Sequence, residues 1–250
     1  MVKVLCLDEI APRKGRKSYR LVISAPELGL VLDMLSNRLK ESLTAWFEAR
    51  GEAWCAHVAT CCADMWRPYH EVAAVRLPHA QLVVDRFHVM KNLNDALTKS
   101  RRVIQQNADE ATKTILKGCR WLLVKNRENL TDEETTKLDE MLAASDELRT
   151  CYQLKESFRH WFAQRFTPEE ALIQLDRWLQ QAEASGYSAM KTFVKTMRNW
   201  KQSILNYFNG RHSNGFAEGI NLKIKLLNRR GFGYRNFSHF RLHVLVNFGS

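Results

Sequence analysis

Three acidic side chains stand where carboxylates could share metal ions. Asp8 ends a short apolar segment, Asp64 follows another, and Glu218 is the only acid between residues 206 and 250. Magnesium prefers hard oxygen ligands, and two such ions can activate water and stabilise a leaving 3′ oxygen. These residues therefore suit the cleavage of a phosphodiester bond, with Asp85 competing for the second position.

Each of these acids also has a structural interpretation. An aspartate at the end of a strand is a common cap of the following segment, which would account for Asp8 and Asp64. Glu218 could pair with Lys225, seven residues further on, on a solvated helix face. A surface carboxylate in a basic segment would weaken binding to nucleic acid, so a metal-ligand role explains Glu218 better.

The first ninety residues predict the elements that would position the aspartates. Apolar and β-branched runs at 2–7, 19–23, 30–35, 57–62 and 81–84 predict five strands. Helices are predicted after Leu39 and over about 68–76. Three antiparallel strands followed by parallel ones joined by helices indicate an α/β fold with a ribonuclease-H-like mixed five-stranded sheet, which would place Asp8 at the tip of the first strand.

No strand pattern appears between about residues 88 and 205. Thr131 and Thr167 each open a capping box with a glutamate three residues later, and Pro168 suits a first helical position. We therefore expect a large all-helical insertion over 95–205, between a core segment at 1–94 and closing helices at 206–250.

A helix from about residue 214 to 228 would carry Glu218, with Ser213 or Asn214 as its cap. A helical wheel places the apolar side chains on one face: Phe216, Ile220, Ile224 and Leu227. It places the polar side chains on the opposite face: Asn214, Glu218, Asn221 and Lys225. Asn214 and Asn221 are candidates to support the site.

The net charge of +11 is unevenly distributed. Residues 106–190 hold 11 basic and 15 acidic side chains, a net of −4, so the remaining residues carry +15. Such patches attract a phosphate backbone, although they could also serve solubility alone. The candidate DNA-binding residues are Arg13, Lys14, Lys17, Lys225, Arg229, Arg230 and Arg235.

Other features narrow the class of protein. A hydrophobic content of 45% excludes a disordered chain. Six cysteines form no CxxC pair, so we expect no zinc site, with Cys61 and Cys62 as reduced thiols in a buried strand. The early Asp8 argues against a signal peptide, and no apolar run is long enough to span a membrane. We expect a cytoplasmic protein without membrane contact.

Two stretches resemble the Asp-Asp-Glu (DDE) transposases of bacterial insertion sequences, specifically the L-three group. The first comprises Asp64-Met65-Trp66-Arg67-Pro68-Tyr69 and Val83-Val84-Asp85-Arg86-Phe87-His88. The second comprises Ser213-Asn214-Gly215, Glu218-Gly219-Ile220-Asn221 and Arg229-Arg230. The opening Leu7-Asp8-Glu9-Ile10 also fits, and the resemblance extends from Val4 to Leu245.

This resemblance implies that Asp8, Asp64 and Glu218 are the catalytic acids and hold two Mg²⁺ or Mn²⁺ ions. It implies hydrolysis at a transposon end to free a 3′-OH, which then attacks target DNA. The implied partners are double-stranded DNA, as transposon ends and target, and further copies of the chain. The implied location is the bacterial cytoplasm, at the nucleoid.

The family also has a zinc module and a helix-turn-helix before its first catalytic aspartate, whereas this sequence begins seven residues before Asp8. We therefore expect the catalytic part alone, from a fragment or a shortened relative, with weak recognition of specific ends. The alternatives are a truncated non-catalytic DNA-binding remnant or regulator of a transposase, and a metal-dependent nuclease without strand transfer.

Four residues near these motifs have competing interpretations. Asp85 could orient Arg86 or His88, and His88 could steady the site, contact phosphate or be purely structural. Trp66 is expected to pack rather than stack on a base. Trp121 is expected in the core, with stacking on an unpaired base as the alternative.

Overall fold

The computed structural model describes residues 1–11 and 19–249. Its strands are β1 (Val4–Ile10), β2 (Arg20–Ala25), β3 (Leu30–Leu35), β4 (Thr60–Ala63) and β5 (Gln81–Val84). They form one sheet in the order β3-β2-β1-β4-β5. β2 pairs antiparallel with β1 and β3, whereas β4 pairs parallel with β1 and β5. The predicted ribonuclease-H-like sheet is confirmed.

The first three helices of the described chain lie between the strands in sequence, and all the others come after the last strand. They are α1 (Lys40–Glu48), α2 (Glu52–Cys55), α3 (Arg67–Arg76), α4 (Arg86–Asn107), α5 (Glu110–Ile115), α6 (Arg120–Val124), α7 (Asp132–Ala143), α8 (Asp146–Ala163), α9 (Pro168–Ala184), α10 (Ser188–Asn199), α11 (Lys201–Leu205), α12 (Gly215–Arg230) and α13 (Phe237–Phe248). Short 3-10 segments lie at Pro26–Leu28, Arg127–Asn129 and Asn206–Asn209. None of the helices described has the length and apolar character needed to cross a bilayer.

β1 is longer than its sequence pattern predicts, and this changes the setting of Asp8. β1 continues to Ile10 because β2 pairs with it beyond Asp8, as far as Ile10 opposite Arg20. The parallel pairing with β4 ends earlier, at Leu7 opposite Ala63. The prediction that Asp8 lies at the tip of the strand is therefore wrong. Asp8 lies inside β1, at the first position beyond the parallel ladder.

The sheet is covered on both faces. One face packs its apolar side chains against α1, α2 and α3, around residues such as Leu5, Phe47 and Tyr69. The other packs against α12 and α13, around Ile10 and Ile224. Because alternate residues of a strand point to opposite faces, Asp8 shares the α12 face with Ile10, and Glu9 lies on the α3 face.

Contacts divide the chain into two compact units, residues 1–88 with 202–250 and residues 89–201. Residues 89–201 contain helices and no strand. Both predicted capping boxes are confirmed, at Thr131 with Glu134 and at Thr167 with Glu170. The assignment of 95–205 as the insertion implied by the resemblance remains a prediction.

Trp121 lies on the surface of this helical unit. Its side chain is 68% exposed, and the Arg120 guanidinium lies 4.8 Å from the centroid of its ring. The expectation of core packing is therefore wrong. α6 turns Leu122 and Leu123 inward, and in so short a helix the residue before them faces solvent.

Candidate active site

Three aspartates form a row along the carboxyl edge of the parallel strands. Leu7 of β1 pairs with Ala63 of β4, and Ala63 pairs with Val84 of β5. Asp8, Asp64 and Asp85 each follow one of these paired residues. Since neighbouring strands lie about 4.8 Å apart, the backbones of Asp8 and Asp64 are adjacent, and Asp85 is one strand further out. The prediction that the strand before Asp64 lies next to the first strand is confirmed, and the choice of Asp64 over Asp85 as a catalytic acid remains a prediction.

Two asparagines fix α12 over this edge. The backbone N–H of Asn214 donates to Asp85 Oδ1 at 3.2 Å, and its Nδ2 donates to the carbonyl of Leu7 at 3.2 Å. Asn221 Nδ2 donates to Asp8 Oδ2 at 2.8 Å. Both asparagines are buried. The amides of both side chains thus satisfy polar groups of β1 that the apolar face of the helix cannot.

Glu218 lies one turn into α12, between these two anchors, and is half-buried. Burial, followed by the nearby charges of Asp85 and Asp8, raises the pKa of its carboxyl group. Within the described residues no ion pair joins Glu218 to Lys225, which is exposed. Glu218 therefore belongs electrostatically to the aspartate row. Asn214 precedes the helix but makes no capping hydrogen bond through its side chain, whereas the Ser213 hydroxyl accepts a long bond of 3.5 Å from the N–H of Gly215.

The aspartates are crowded with like charge. Burial raises the pKa of Asp8, and Asp85 and Glu9 raise it further. Burial is also the main reason that the pKa of Asp64 rises to about 6, with added repulsion from Glu9 and Asp8. Both carboxylates are destabilised in their charged form, which is the situation that a bound cation relieves.

His88 offsets part of this negative charge. Its Nδ1 lies 3.1 Å from Asp85 Oδ2. Burial opposes its protonation, but the hydrogen bond to Asp85 and the charges of Asp64, Asp85 and Asp8 together raise the pKa of the imidazole. The prediction that Asp85 orients His88 is confirmed. Asp85 also holds the start of α12, a second contact that sequence spacing did not indicate.

Glu9 is a further acid beside the site, and no sequence pattern singles it out. It accepts a hydrogen bond from the Tyr69 hydroxyl at 2.9 Å and pairs with the Arg38 guanidinium at 3.1 Å. That guanidinium also lies over the rings of Tyr19 and Trp66, so Trp66 packs on a cation at the rim of the site. Because side chains alternate between the two faces of the sheet along β1, Glu9 and Asp8 point in opposite directions. The surroundings of Glu9 depend on Arg38 and Tyr69, which are distant in the sequence.

The donors suit a hard divalent cation, although no three His, Cys, Asp or Glu side chains of the described chain stand in a closed metal-binding group. Asp64 Oδ1 is buried without a hydrogen-bond partner, as are the side-chain oxygens of Asn214 and Asn221. Unpaired buried oxygens are costly unless a ligand or water satisfies them. Carboxylate and amide oxygens are the ligands that Mg²⁺ prefers, so the residues present fit such an ion.

The thiols take no part in this donor set. All six cysteines are free and buried, as expected for reduced thiols. Cys6 and Cys62 face each other in the parallel pair of β1 and β4, two residues before Asp8 and Asp64.

Four of the predicted DNA-binding residues lie at the surface of the described chain. Lys225, Arg229 and Arg230 are exposed on α12, and Arg235 is exposed in the turn after it. No ion pair in the described ranges neutralises any of the four. The other three predicted residues, Arg13, Lys14 and Lys17, lie outside the described residues.

Comparisons with known proteins agree with these features. A family model described as transposase, of the DDE type and the ISL3 (L-three) group, matches residues 5–244. The transposase for insertion sequence element IS1001 of Bordetella parapertussis is 32% identical over 251 residues, covering 99% of this chain and 61% of that protein. The transposase for IS1557 of Mycobacterium tuberculosis is 27% identical, covering 92% of this chain and 56% of that protein.

A protein named ATP-dependent protease from Lactococcus lactis is 32% identical over 127 residues, but the match covers only 50% of this chain. No solved structure matches. The chain thus spans about three fifths of the length of the transposases it matches. On the match over nearly its whole length, the chain belongs to the ISL3 group of the DDE transposase family.

Proposed function

We propose that this chain is the DNA-cutting and DNA-joining core of a transposase. The observation that supports it most is the row of Asp8, Asp64 and Asp85 beneath a helix that carries Glu218 and is fixed to the row by Asn214 and Asn221. Family membership supports the same reaction, since relatives are named as transposases. The substrate is double-stranded DNA.

Asp8, Asp64 and Glu218 would hold two Mg²⁺ or Mn²⁺ ions, which when bound supply activation of water and stabilisation of the leaving 3′ oxygen. The contact of Asn221 with Asp8 keeps one carboxylate oriented. Asp85 keeps His88 in place, and a protonated His88 offers a positive charge to a phosphate oxygen beside the acids. Hydrolysis frees a 3′-OH, and that hydroxyl then attacks a phosphodiester of the target.

Nicking of a supercoiled plasmid in Mn²⁺ tests the proposal. We expect the unsubstituted chain to nick, and Asp64→Asn to lose more than about a hundredfold in rate, since changes outside the ligand set already cost 10–100-fold. Binding to DNA should persist, because phosphate contacts lie elsewhere. Glu140→Gln, at an exposed acid of α7, is the matched control and should nick normally.

Two outcomes would change the assignment. Full nicking by Asp64→Asn together with loss in Asp85→Asn would make Asp85 the second ligand. Binding without any metal-dependent nicking would identify a non-catalytic DNA-binding protein. A labelled oligonucleotide with a free 3′-OH distinguishes the remaining possibilities, because a transposase core joins it to plasmid DNA and a simple nuclease does not.

A further inference from the structure

The turn between α12 and α13 exposes an aromatic ring. The Phe232 side chain is 101% exposed. No aromatic or cationic group within residues 1–11 and 19–249 contacts its ring. A large apolar side chain fully in water gains nothing from burial in the folded chain, so the whole ring is available to contact a partner.

The backbone presents this ring in a fixed way. Phe232 has a φ of +50°, in the left-handed region that bulky residues rarely adopt. Its N–H donates to the carbonyl of Arg229 at 3.0 Å, and the next residue, Gly233, donates to the carbonyl of Asn228 at 2.8 Å. These bonds close the end of α12 and hold the turn. The exposed ring is therefore carried on a turn that backbone hydrogen bonds stabilise.

Tyr234 anchors the base of the same turn. Its ring stacks on the buried Phe240 of α13 with the centroids 4.9 Å apart. A Cβ at Gly231 would lie 2.8 Å from the Tyr234 ring, so the close approach needs a glycine there. The Tyr234 ring is thus packed against α13, whereas the Phe232 ring, two residues earlier, is exposed to solvent.

The basic residues close to Phe232 in the sequence favour a negatively charged partner. Arg229 and Arg230 in the last turn of α12 and Arg235 in the turn are exposed, and no acid of the described chain pairs with them. These guanidinium groups are complementary to phosphate, and Phe232 lies between them along the chain. Apolar side chains flanked by arginines are the pattern used to enter a duplex between base steps.

We propose that Phe232 is a wedge that enters duplex DNA and stacks on an unstacked base while Arg229 and Arg230 bind the neighbouring phosphates. This inference rests on the proposed function. Glu218 and Phe232 lie 14 residues apart along one helix and its turn, which is roughly 20 Å at 1.5 Å per residue. At 3.4 Å per base step, the wedge would act about six base pairs from the acids.

Binding of the chain to two labelled 30-base-pair duplexes, one fully paired and one with a single central mismatch, tests the wedge. Entry into paired DNA costs unstacking energy that a mismatch lowers. We expect the unsubstituted chain to prefer the mismatched duplex about tenfold, or about 1.4 kcal/mol. Phe232→Ala should reduce that preference to within about twofold, and Phe232→Trp should keep it.

Leu222→Ala is the matched control, because Leu222 is an apolar residue of α12, the helix before the turn, and is 67% exposed. It should keep the full preference. Permanganate oxidation of thymines in the paired duplex gives a second readout, and the reactivity that the unsubstituted chain induces should disappear in Phe232→Ala.

The outcomes separate this inference from the proposed function. Unchanged mismatch preference in Phe232→Ala, with normal DNA binding and nicking, contradicts the wedge alone. A change in self-association with unchanged preference would assign the ring to contact with a second copy and also overturns the wedge. Failure of the unsubstituted chain to bind either duplex contradicts both proposals.

Discussion

Asp64 is the residue where the demands of stability and of the proposed metal binding oppose each other most clearly. Its Oδ1 is buried without a partner, and burial with the repulsion of Glu9 and Asp8 raises its pKa to about 6. A fold optimised for stability alone would place a neutral side chain here. Active sites commonly keep such perturbed groups because their function needs them.

Asp64→Asn should therefore stabilise the chain in EDTA at pH 8. The folded-state pKa of about 6 lies above the ordinary value of 3.8 for an aspartate side chain. The charged form is thus disfavoured by folding, and stability is lost as pH rises from about 4 through 6. Removing the charge should add on the order of 2 kcal/mol to the free energy of unfolding at pH 8, measured by thermal unfolding.

The advantage of Asp64→Asn should shrink to about 0.5 kcal/mol at pH 4, where the carboxyl group is protonated in the folded chain and about half ionised in the unfolded chain. Glu140→Gln should change stability by less than about 0.5 kcal/mol at either pH. Mg²⁺ should raise the melting temperature of the wild-type chain and leave that of Asp64→Asn nearly unchanged. Equal stability of wild type and Asp64→Asn at pH 8 would show that the site tolerates the charge without a cation.

At the scale of elements, α12 is the part that completes the site. Its apolar side chains pack on the sheet beside α13, while Asn214 and Asn221 attach its polar side to β1 and Asp85. A helix held only by apolar contacts can slide or rotate. Directional hydrogen bonds to a buried carboxylate fix the rotation that brings Glu218 toward the aspartates.

Asn221→Ala should lower stability and abolish nicking together. It removes a 2.8 Å hydrogen bond to the buried Asp8, and hydrogen bonds to charged groups contribute about 1.5–3 kcal/mol. Urea unfolding measures the first effect, and plasmid nicking in Mn²⁺ the second. Asn247→Ala, which loses only an exposed bond to the carbonyl of His243, should change neither. Normal nicking by Asn221→Ala would show that Glu218 reaches the site without this anchor.

Sequence patterns were sufficient for the elements that depend on local spacing. The strand order, the crossover helices and the capping boxes at Thr131 and Thr167 follow from periodicity and capping chemistry. The extension of β1 past Asp8 did not follow, because it depends on pairing with β2. Nor did the hydrogen bond from Asn221 to Asp8, because a helical wheel shows which side chains share a face but not which distant residue they contact.

Local sequence patterns likewise predict only some of the contacts around the acids. The choice of Asp64 over Asp85 followed from strand order, which local patterns indicate. The role of Glu9 depends on Arg38 and Tyr69, which come from other segments of the chain and meet only after folding. Trp121 was misassigned for the converse reason, because no pattern within a helix as short as α6 shows which of its apolar residues faces out.

For the whole molecule, charge is arranged differently in its two units. The helical unit neutralises many of its basic side chains internally, as in the pairs of Arg127 with Asp139, Arg159 with Glu128 and Arg198 with Glu183. The exposed basic residues of α12 and the following turn have no such partners among the residues described. The excess of positive charge is thus available for phosphate in the unit that also contains the acids.

DNA binding by this chain should therefore weaken steeply with salt, and Arg229 and Arg230 should account for a defined share of that dependence. Each phosphate contact contributes about 0.9 to the slope of log affinity against log salt concentration. The double variant Arg229→Ala, Arg230→Ala should reduce the slope by about 2 on any duplex sequence. Fluorescence anisotropy titrations at several salt concentrations measure it. Arg127→Ala, which removes an arginine already paired with Asp139, should leave the slope unchanged. Equal slopes for all three proteins would mean that the DNA contacts lie elsewhere on the chain.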